Sequence, residues 1–461
     1  MENNFDLVII GAGPAGYTGA IRAAQLGMKV ACVEKDSTLG GTCLNVGCIP
    51  SKALLHFSEK YEEALKHLAG IGINTSCSLD LATMIAKKDK VVSDLTRGIE
   101  MLFNKNKIHR IGGTAKITSP NTVLINNQTE ITAHNILIAT GSIPSPLPNI
   151  TLDHKRIVSS TGALSLKEVP QKLIVIGAGY IGLELGSVWR RLGSEVVVLE
   201  YSNNFLPFMD KEVATTLYSL LQKQGMQFQM STKVLSAQTQ RDKVLIKAQK
   251  DNTESELDAD IVLVAAGRVP YTADLGLEEL GIEKDNRGFI KVDSFYRTKH
   301  PSIYAVGDVI PGPMLAHKAE GESIDAVEIM NGKKPSINYN LIPSVIYTSP
   351  EVASVGLTEE QLKAASKEYK VGKFPFIANS KAKAIVSTEG FVKILADSKT
   401  DQILGAHIIG QNASNLISEL AVAMEFKASS QDIALTMHPH PTLSEAICEA
   451  AKAVNKEAIN I

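Results

Sequence analysis

Three observations predict an α/β protein. A β-branched run, Leu7-Val8-Ile9-Ile10, leads straight into the turn Gly11-Ala12-Gly13-Pro14-Ala15-Gly16 and an alanine-rich helical stretch to Gly27. The same unit recurs 166 residues later, so that Gly11 answers to Gly177 and Glu34 to Glu200. After residue 343 the texture changes to strand-like runs and helical stretches that lack this turn. The predicted class is α/β, with two Rossmann-like dinucleotide-binding domains and a C-terminal α+β domain. At about 150 residues per domain, a chain of 461 residues has room for three.

Composition narrows the function classes. Hydrophobic residues make up 44% and charged residues 21%, which excludes wholesale disorder. The 47 basic and 49 acidic side chains nearly cancel, and with a single Trp189 they leave neither a basic footprint nor a stacking platform for nucleic acid. No run approaches the roughly 18 apolar residues of a membrane span. No basic leader precedes the first strand, so the sequence predicts a cytoplasmic protein. Five cysteines in such a chain are no disulfide framework, and a close pair then calls for a chemical explanation.

Each element can be justified in order. In the first unit the run to Ile10 is a buried parallel strand, Pro14 opens a helix, and Lys29 to Val33 forms a second strand ending at Glu34. In the second, Leu173 to Ile176 leads into Gly177-Ala178-Gly179-Tyr180-Ile181-Gly182, a helix through Trp189, and Glu195 to Leu199 ending at Glu200. Each unit has a further apolar strand closing on glycine, Asn135 to Gly141 and Ile261 to Gly267. The Pro-rich stretch from Ile143 to Pro148 marks the exit from the first domain. Beyond it, 345–347, 391–395 and 403–409 read as strands, and 414–426 and 443–454 as helices.

The glycine spacing has a physical purpose. Gly11 and Gly177 allow the tight turn, Gly13 and Gly179 admit a pyrophosphate to the backbone, and Gly16 and Gly182 let helix pack on strand. Glu34 and Glu200 stand 18 residues past the last glycine, where a carboxylate accepts from a ribose diol. An acid there repels a 2′-phosphate, which predicts NAD rather than NADP at the second site.

Cys43 and Cys48 are the second signal. A metal site would need about four ligands, and no partner pair exists. On an ideal helix residues five apart have Cα atoms about 8.6 Å apart, beyond the approximate 7 Å reach of a disulfide. A bridge therefore needs a distorted turn, and strained bridges are the labile, catalytic ones. Cys32, Cys77 and Cys448 read as packing residues. The third signal is His438-Pro439-His440-Pro441-Thr442-Leu443-Ser444-Glu445. A dithiol reacts as its thiolate, so a histidine base oriented by a carboxylate suits the chemistry. Thr442 to Glu445 is also a capping-box pattern that opens a helix.

The segment Gly40-Gly41-Thr42-Cys43-Leu44-Asn45-Val46-Gly47-Cys48-Ile49-Pro50-Ser51-Lys52 closely resembles the active-site segment of the pyridine nucleotide–disulfide oxidoreductases. The resemblance extends through Ala139-Thr140-Gly141-Ser142, Tyr304-Ala305-Val306-Gly307-Asp308, Met314-Leu315-Ala316-His317 and the run from His440 to Glu445. It implies an FAD site using Gly11, Gly13, Gly16, Glu34, Thr42 and Lys52, with Ala115, Thr140, Gly141, Ser142, Asp308, Met314, Leu315, Ala316 and His317. It implies an NAD site using Gly177, Gly179, Tyr180, Ile181, Gly182, Glu200, Val234 and Gly267, and an ion pair of Lys52 with Glu184 beside the flavin. The implied divisions are an FAD-binding domain at 1–145, an NAD-binding domain at 146–272, a segment at 273–342 completing the FAD site, and a dimerisation domain at 343–461.

The resemblance further implies that a Cys43–Cys48 disulfide, served by His440 and Glu445 of the other subunit of a homodimer, oxidises dihydrolipoamide and passes the electrons through FAD to NAD⁺. The implied partners are the lipoyl domains of 2-oxoacid dehydrogenase acyltransferases or the lipoyl protein of glycine cleavage, because the chain has no lipoyl extension of its own. Pro439 departs from the smaller residue usual in the family, beside the approach of a lipoyl arm. The rival reading is an NADH- or NADPH-dependent reductase of another disulfide, of the glutathione reductase type. Glu200 and Gly182 oppose it, since NADPH users tend to carry basic residues there.

Overall fold

The computed structural model describes residues 3–461. Its first sheet sets parallel strands in the order His109–Gly112, Val30–Glu34, Asn4–Ile10, Thr129–Ile138 and Ile303–Ala305. The strands Thr122–Ile125 and Ala115–Ser119 extend it antiparallel from the start of Thr129–Ile138. The second sheet repeats the parallel core: Met226–Gln229, Glu195–Leu199, Lys172–Ile176, Ile261–Val264 and Ile157–Val158. The two copies differ in the origin of their fifth strand. The second unit takes it from the residues just ahead of its glycine turn, whereas the first takes it from 303–305, beyond the whole second unit.

The elements fall close to their expected places, with differences that have local causes. The strand expected from Asn135 to Gly141 begins six residues earlier, at Thr129, because Thr129 to Thr132 pairs with the antiparallel ribbon. Its partner in the second unit ends at Val264, and Gly267 turns the chain at φ +105°. The Pro-rich exit contains a strand, Ser142–Pro144, paired antiparallel with Arg268–Pro270. These crossover strands join the two units at their common edge. The second unit also carries an antiparallel meander over Thr232–Gln240, Lys243–Lys250 and Thr253–Ala259.

The last unit is a five-stranded antiparallel sheet, in the order Ser344–Ile346, Glu351–Gly356, Ile403–Gly410, Phe391–Asp397 and Tyr369–Pro375. The helices Ala413–Glu425 and Glu445–Val454 pack on it. Its residues Ile346, Val352, Phe391 and Ile409 also join the core that holds Trp189, so the second and third units share one apolar interior. No helix among the described residues is long and apolar enough to cross a membrane.

The helix Cys48–Glu62 crosses from the first unit onto the helix Tyr180–Leu192 of the second. Arg190 binds Glu62 with both terminal nitrogens at 2.7 Å, and Arg191 donates to the Leu55 carbonyl at 3.1 Å. Burial alone would raise the Glu62 carboxyl, but the hydrogen bonds from Arg190 and Lys66 outweigh it and hold it at about 2, below its ordinary 4.5. The Glu62 pairing therefore stabilises the fold fully above about pH 4.5 and is lost as pH falls toward 2. We predict that Glu62→Gln, which strands the buried Arg190, costs about 3–5 kcal/mol. Urea midpoints measured at neutral pH and at pH 3 should converge for the two proteins in acid; a constant difference would refute the assignment.

Candidate active site at a thiol pair

The glycine turns are the frame of the site. Gly11 and Gly177 have φ of +100° and +105°, and a Cβ on either would come within 2.5 and 2.6 Å of a carbonyl, Ala139 and Ala265 respectively. At Gly16 and Gly182 a Cβ would meet the carbonyls of Gly11 and Gly177 at 1.8 and 2.2 Å. The acids repeat too. Glu34 accepts from the N–H of Ala12 at 2.8 Å and of Asp36 at 2.9 Å, and Glu200 from Ala178 and Ser202, both at 2.7 Å. Each carboxylate is thus locked across its own turn, with lone pairs left over for a ligand hydroxyl.

A cavity of about 690 Å³ opens at the first turn. Gly11, Gly13, Glu34, Thr42, Lys52 and Ala115 line it, together with Thr140, Gly141, Ser142, Asp308, Met314 and Ala316. Both thiols, Cys43 and Cys48, are on its wall. Tyr180, Ile181 and Glu184 close it from the second unit. Gly16 lies behind the wall, where it packs helix on strand. Leu315 and His317 are not lining residues; Leu315 caps the helix Ala316–Met330, and His317 turns its Nε2 to the Pro343 carbonyl at 2.8 Å. Gly177, Gly179, Glu200, Val234 and Gly267 do not line the cavity; Gly177, Glu200 and Gly267 follow the carboxyl ends of second-sheet strands, and Val234 belongs to the meander strand Thr232–Gln240. There Thr232 N–H bonds the Glu200 carbonyl at 2.8 Å and brings Val234 alongside.

Gly47 supplies the distorted turn that the cysteine spacing requires. It separates the helix Gly41–Val46 from Cys48–Glu62 at φ −137°, ψ −114°, and a Cβ there would press on the Thr42 carbonyl at 2.8 Å. The break sets the two thiols, free in this structure, on one cavity wall, where each acts on the other's titration. A hydrogen bond from Cys43 lowers the Cys48 thiol to about 7; Lys52 assists, while burial and Glu184 oppose. The same bond, with burial, pushes the Cys43 thiol up. One thiol is thereby held toward the thiolate and the other toward the thiol.

Lys52 stands one turn beyond Cys48 and bonds Glu184 at 2.7 Å. Glu184 accepts in addition from the Tyr347 N–H at 3.1 Å, and the Lys52 ammonium sits 4.3 Å from the Tyr347 ring centre. All three units therefore meet at this ion pair. Arg268, which the sequence reading passed over, also lines the cavity; its Nε donates to Ser142 Oγ at 2.7 Å and Ser142 Oγ donates to Asp308 at 2.6 Å. Its position beside Gly267 was the available signal.

At the C-terminus both readings of the Thr442–Glu445 pattern hold in part. Glu445 accepts from His440 Nδ1 at 2.9 Å through one oxygen and from the Thr442 N–H at 2.9 Å through the other. The Thr442 hydroxyl does not return the capping bond, and Ser444 is the N-cap. Burial alone would raise the Glu445 carboxyl, but these two bonds hold it below its ordinary value. The His440 side chain is 69% exposed, while His438 is buried against Glu419 at 2.8 Å. Within one chain, His440 is not on the wall that carries the thiols.

A family model for pyridine nucleotide-disulphide oxidoreductases matches residues 5–323, and one for their dimerisation domain matches 342–451. The chain belongs to this family. Pyridine nucleotide-disulphide oxidoreductases similar to it include dihydrolipoyl dehydrogenase 3 of Pseudomonas putida, 54% identical over 99% of this chain and 100% of the relative. The mitochondrial dihydrolipoyl dehydrogenase of Pisum sativum is 52% identical over 99% of this chain and 92% of its own length. A leghemoglobin reductase of Vigna unguiculata is 54% identical over 97% and 87%. Among solved structures, LpdA of Mycobacterium tuberculosis superposes with a TM-score of 0.90 at 26% identity, covering 98% of this chain and 99% of that one.

The thiol pair makes a direct prediction. In the reduced protein one thiol should titrate near pH 7, followed by thiolate ultraviolet absorbance, and Cys43→Ala should move that midpoint up by removing the donated hydrogen bond. A midpoint indifferent to Cys43→Ala would show that the bond does not set it.

Proposed function

We propose that the chain oxidises dihydrolipoamide to lipoamide with reduction of NAD⁺, as the flavoprotein of lipoyl-bearing 2-oxoacid dehydrogenase complexes. The observation that carries this reading is the thiol pair Cys43 and Cys48 on the wall of a cavity at the first of two copies of one dinucleotide turn, in a chain 54% identical to a dihydrolipoyl dehydrogenase across its length. A reducing, cytoplasmic setting suits a pair that must cycle between thiol and disulfide.

The residues present fit both cofactors. The cavity has the size of a cofactor site, and a Cβ on Gly141 would point into open space there. Gly179 and Gly267 are equally open at the second turn. FAD would be held by Gly11, Gly13, Glu34, Lys52, Ala115, Gly141, Asp308 and Ala316, and NAD by Gly177, Gly179, Glu200, Val234 and Gly267. Bound FAD supplies a two-electron acceptor for the dithiol and a hydride donor for NAD⁺.

The remaining chemistry belongs to the chain. A thiolate of dihydrolipoamide attacks Sγ of Cys43 in the oxidised pair, the Cys43–Cys48 bond breaks, and Cys48 leaves as a thiolate beside the Lys52 charge, joined by the Cys43 S–H once that thiol is released. The second substrate thiol then attacks the substrate's own sulfur in the mixed disulfide, closing the lipoamide ring and expelling Cys43. Of the two substrate protons, one stays on Cys43 and the other on His440, whose charged form Glu445 steadies. Lys52 stabilises the Cys48 thiolate.

His440 serves the thiol pair of a second copy. The last unit exposes Val422, Phe426, Leu435 and Met437 by 59, 82, 72 and 96%, apolar surface suited to a subunit contact. We predict that Cys48→Ser and His440→Gln chains are each nearly inactive, the latter by about 10²–10⁴-fold in kcat. Unfolding and refolding them together should restore about a quarter of wild-type turnover, since half the twofold dimers then carry one complete site. No recovery above the separate variants would place both groups in one chain. Gly182→Ala should weaken NAD binding while flavin absorbance stays; loss of flavin instead would reverse the assignment of the two turns.

A further inference from the structure

Asp308 follows a glycine that two buried charges hold from behind the cavity wall. Gly307 stands at φ +78°, in the left-handed region, at the start of the turn Gly307–Val309. Glycine takes that conformation without strain, yet by itself it leaves the backbone free to pivot. Its neighbours remove the freedom. Glu322 Oε2 accepts from the Gly307 N–H at 2.7 Å, and Lys318 Nζ donates to the Gly307 carbonyl at 3.0 Å. The two lie one turn apart on the helix Ala316–Met330, 3.0 Å from each other, and neither side chain has any exposed surface. The other Glu322 oxygen accepts from the Tyr339 hydroxyl at 2.7 Å. Gly307 and Asp308 line the cavity, whereas Lys318 and Glu322 do not.

A fully buried ion pair is a poor source of stability, since apolar side chains of similar volume commonly serve as well. Placement is what this one supplies. The Gly307 carbonyl and the Asp308 N–H share one peptide plane, so the bond from Lys318 fixes the plane from which Asp308 departs. Glu322 fixes the plane before it. From there the Asp308 carboxylate reaches the cavity wall and accepts from Ser142 Oγ at 2.6 Å. We propose that Lys318 and Glu322 are positioning residues for the flavin: by clamping both peptides of Gly307 they hold the Asp308 carboxylate where FAD binds. The pair acts only through Asp308, and its role rests on the reading that Asp308 holds FAD.

The test is a double-mutant cycle on flavin retention. FAD-loaded wild type, Lys318→Met/Glu322→Gln, Asp308→Ala and the combined variant are diluted, and release is followed as the return of free-flavin fluorescence. Lys318→Met/Glu322→Gln strands no buried charge, but its single amide oxygen cannot serve both the Gly307 N–H and Tyr339 as the two Glu322 oxygens do. It should release FAD about tenfold faster than wild type, with the urea midpoint of the chain little changed. In the Asp308→Ala background the same change should add less than about twofold, because the group being positioned is gone. Full additivity, an unchanged release rate, or a paired variant that no longer folds would make the pair a support of its helix alone and overturn the proposal. Asp308→Ala by itself separates the two readings. If it releases FAD at the wild-type rate, the assignment of Asp308 fails and the positioning role with it; if it speeds release while the paired change adds in full, only the positioning role fails.

Discussion

The ion pair between Lys52 and Glu184 is the interaction on which the arrangement of the whole molecule turns. Lys52 belongs to the helix that begins at Cys48, Glu184 to the helix behind the second glycine turn, and the third unit binds the same carboxylate through the Tyr347 backbone. The Glu184 side chain is only 4% exposed, so its charge is tolerable only while Lys52 and the Tyr347 N–H stay in place. One bond thus ties the height of the thiol pair to the position of the second turn. The remainder of the Cys48–Glu62 helix follows, pinned at its far end by Glu62 and Arg190.

How much of this was legible in the sequence depends on the range of the contact. The glycine turns and their acids have a spacing set by one strand, one helix and one strand, so they could be read twice and found twice. The thiol pair was equally local, and Gly47 was the break its spacing required. The Arg268–Ser142–Asp308 relay and the Tyr17–Glu320 contact join residues more than a hundred positions apart, where no periodicity records them. The 25-residue helix Leu81–Lys105 was passed over for another reason: four of its residues are buried, and one of these is Lys88, so its apolar stripe is thin.

The two histidines near the C-terminus show where geometry adds what composition withholds. The sequence singles out His440, with Glu445 five residues on, and leaves His438 open. The fold buries His438 against Glu419 and leaves His440 exposed on Glu445, with the same carboxylate bonded to the chain at Thr442. Glu445 is thereby both a helix-start residue and the orienter of an imidazole, and the two tasks compete for different oxygens rather than for one.

The unequal origin of the fifth strands bears on how the chain is made. Ile157–Val158 reaches the second sheet before that sheet's own turn is synthesised, so the second unit can close once Val264 has emerged. The first sheet must wait for Ile303–Ala305, about 165 residues after Ile138. At about 5–20 residues per second, its edge stays unpaired on the ribosome for roughly 10–30 s. Closure therefore proceeds from the inside outward, and the first glycine turn, though earlier in the sequence, is the last of the two to have its sheet completed.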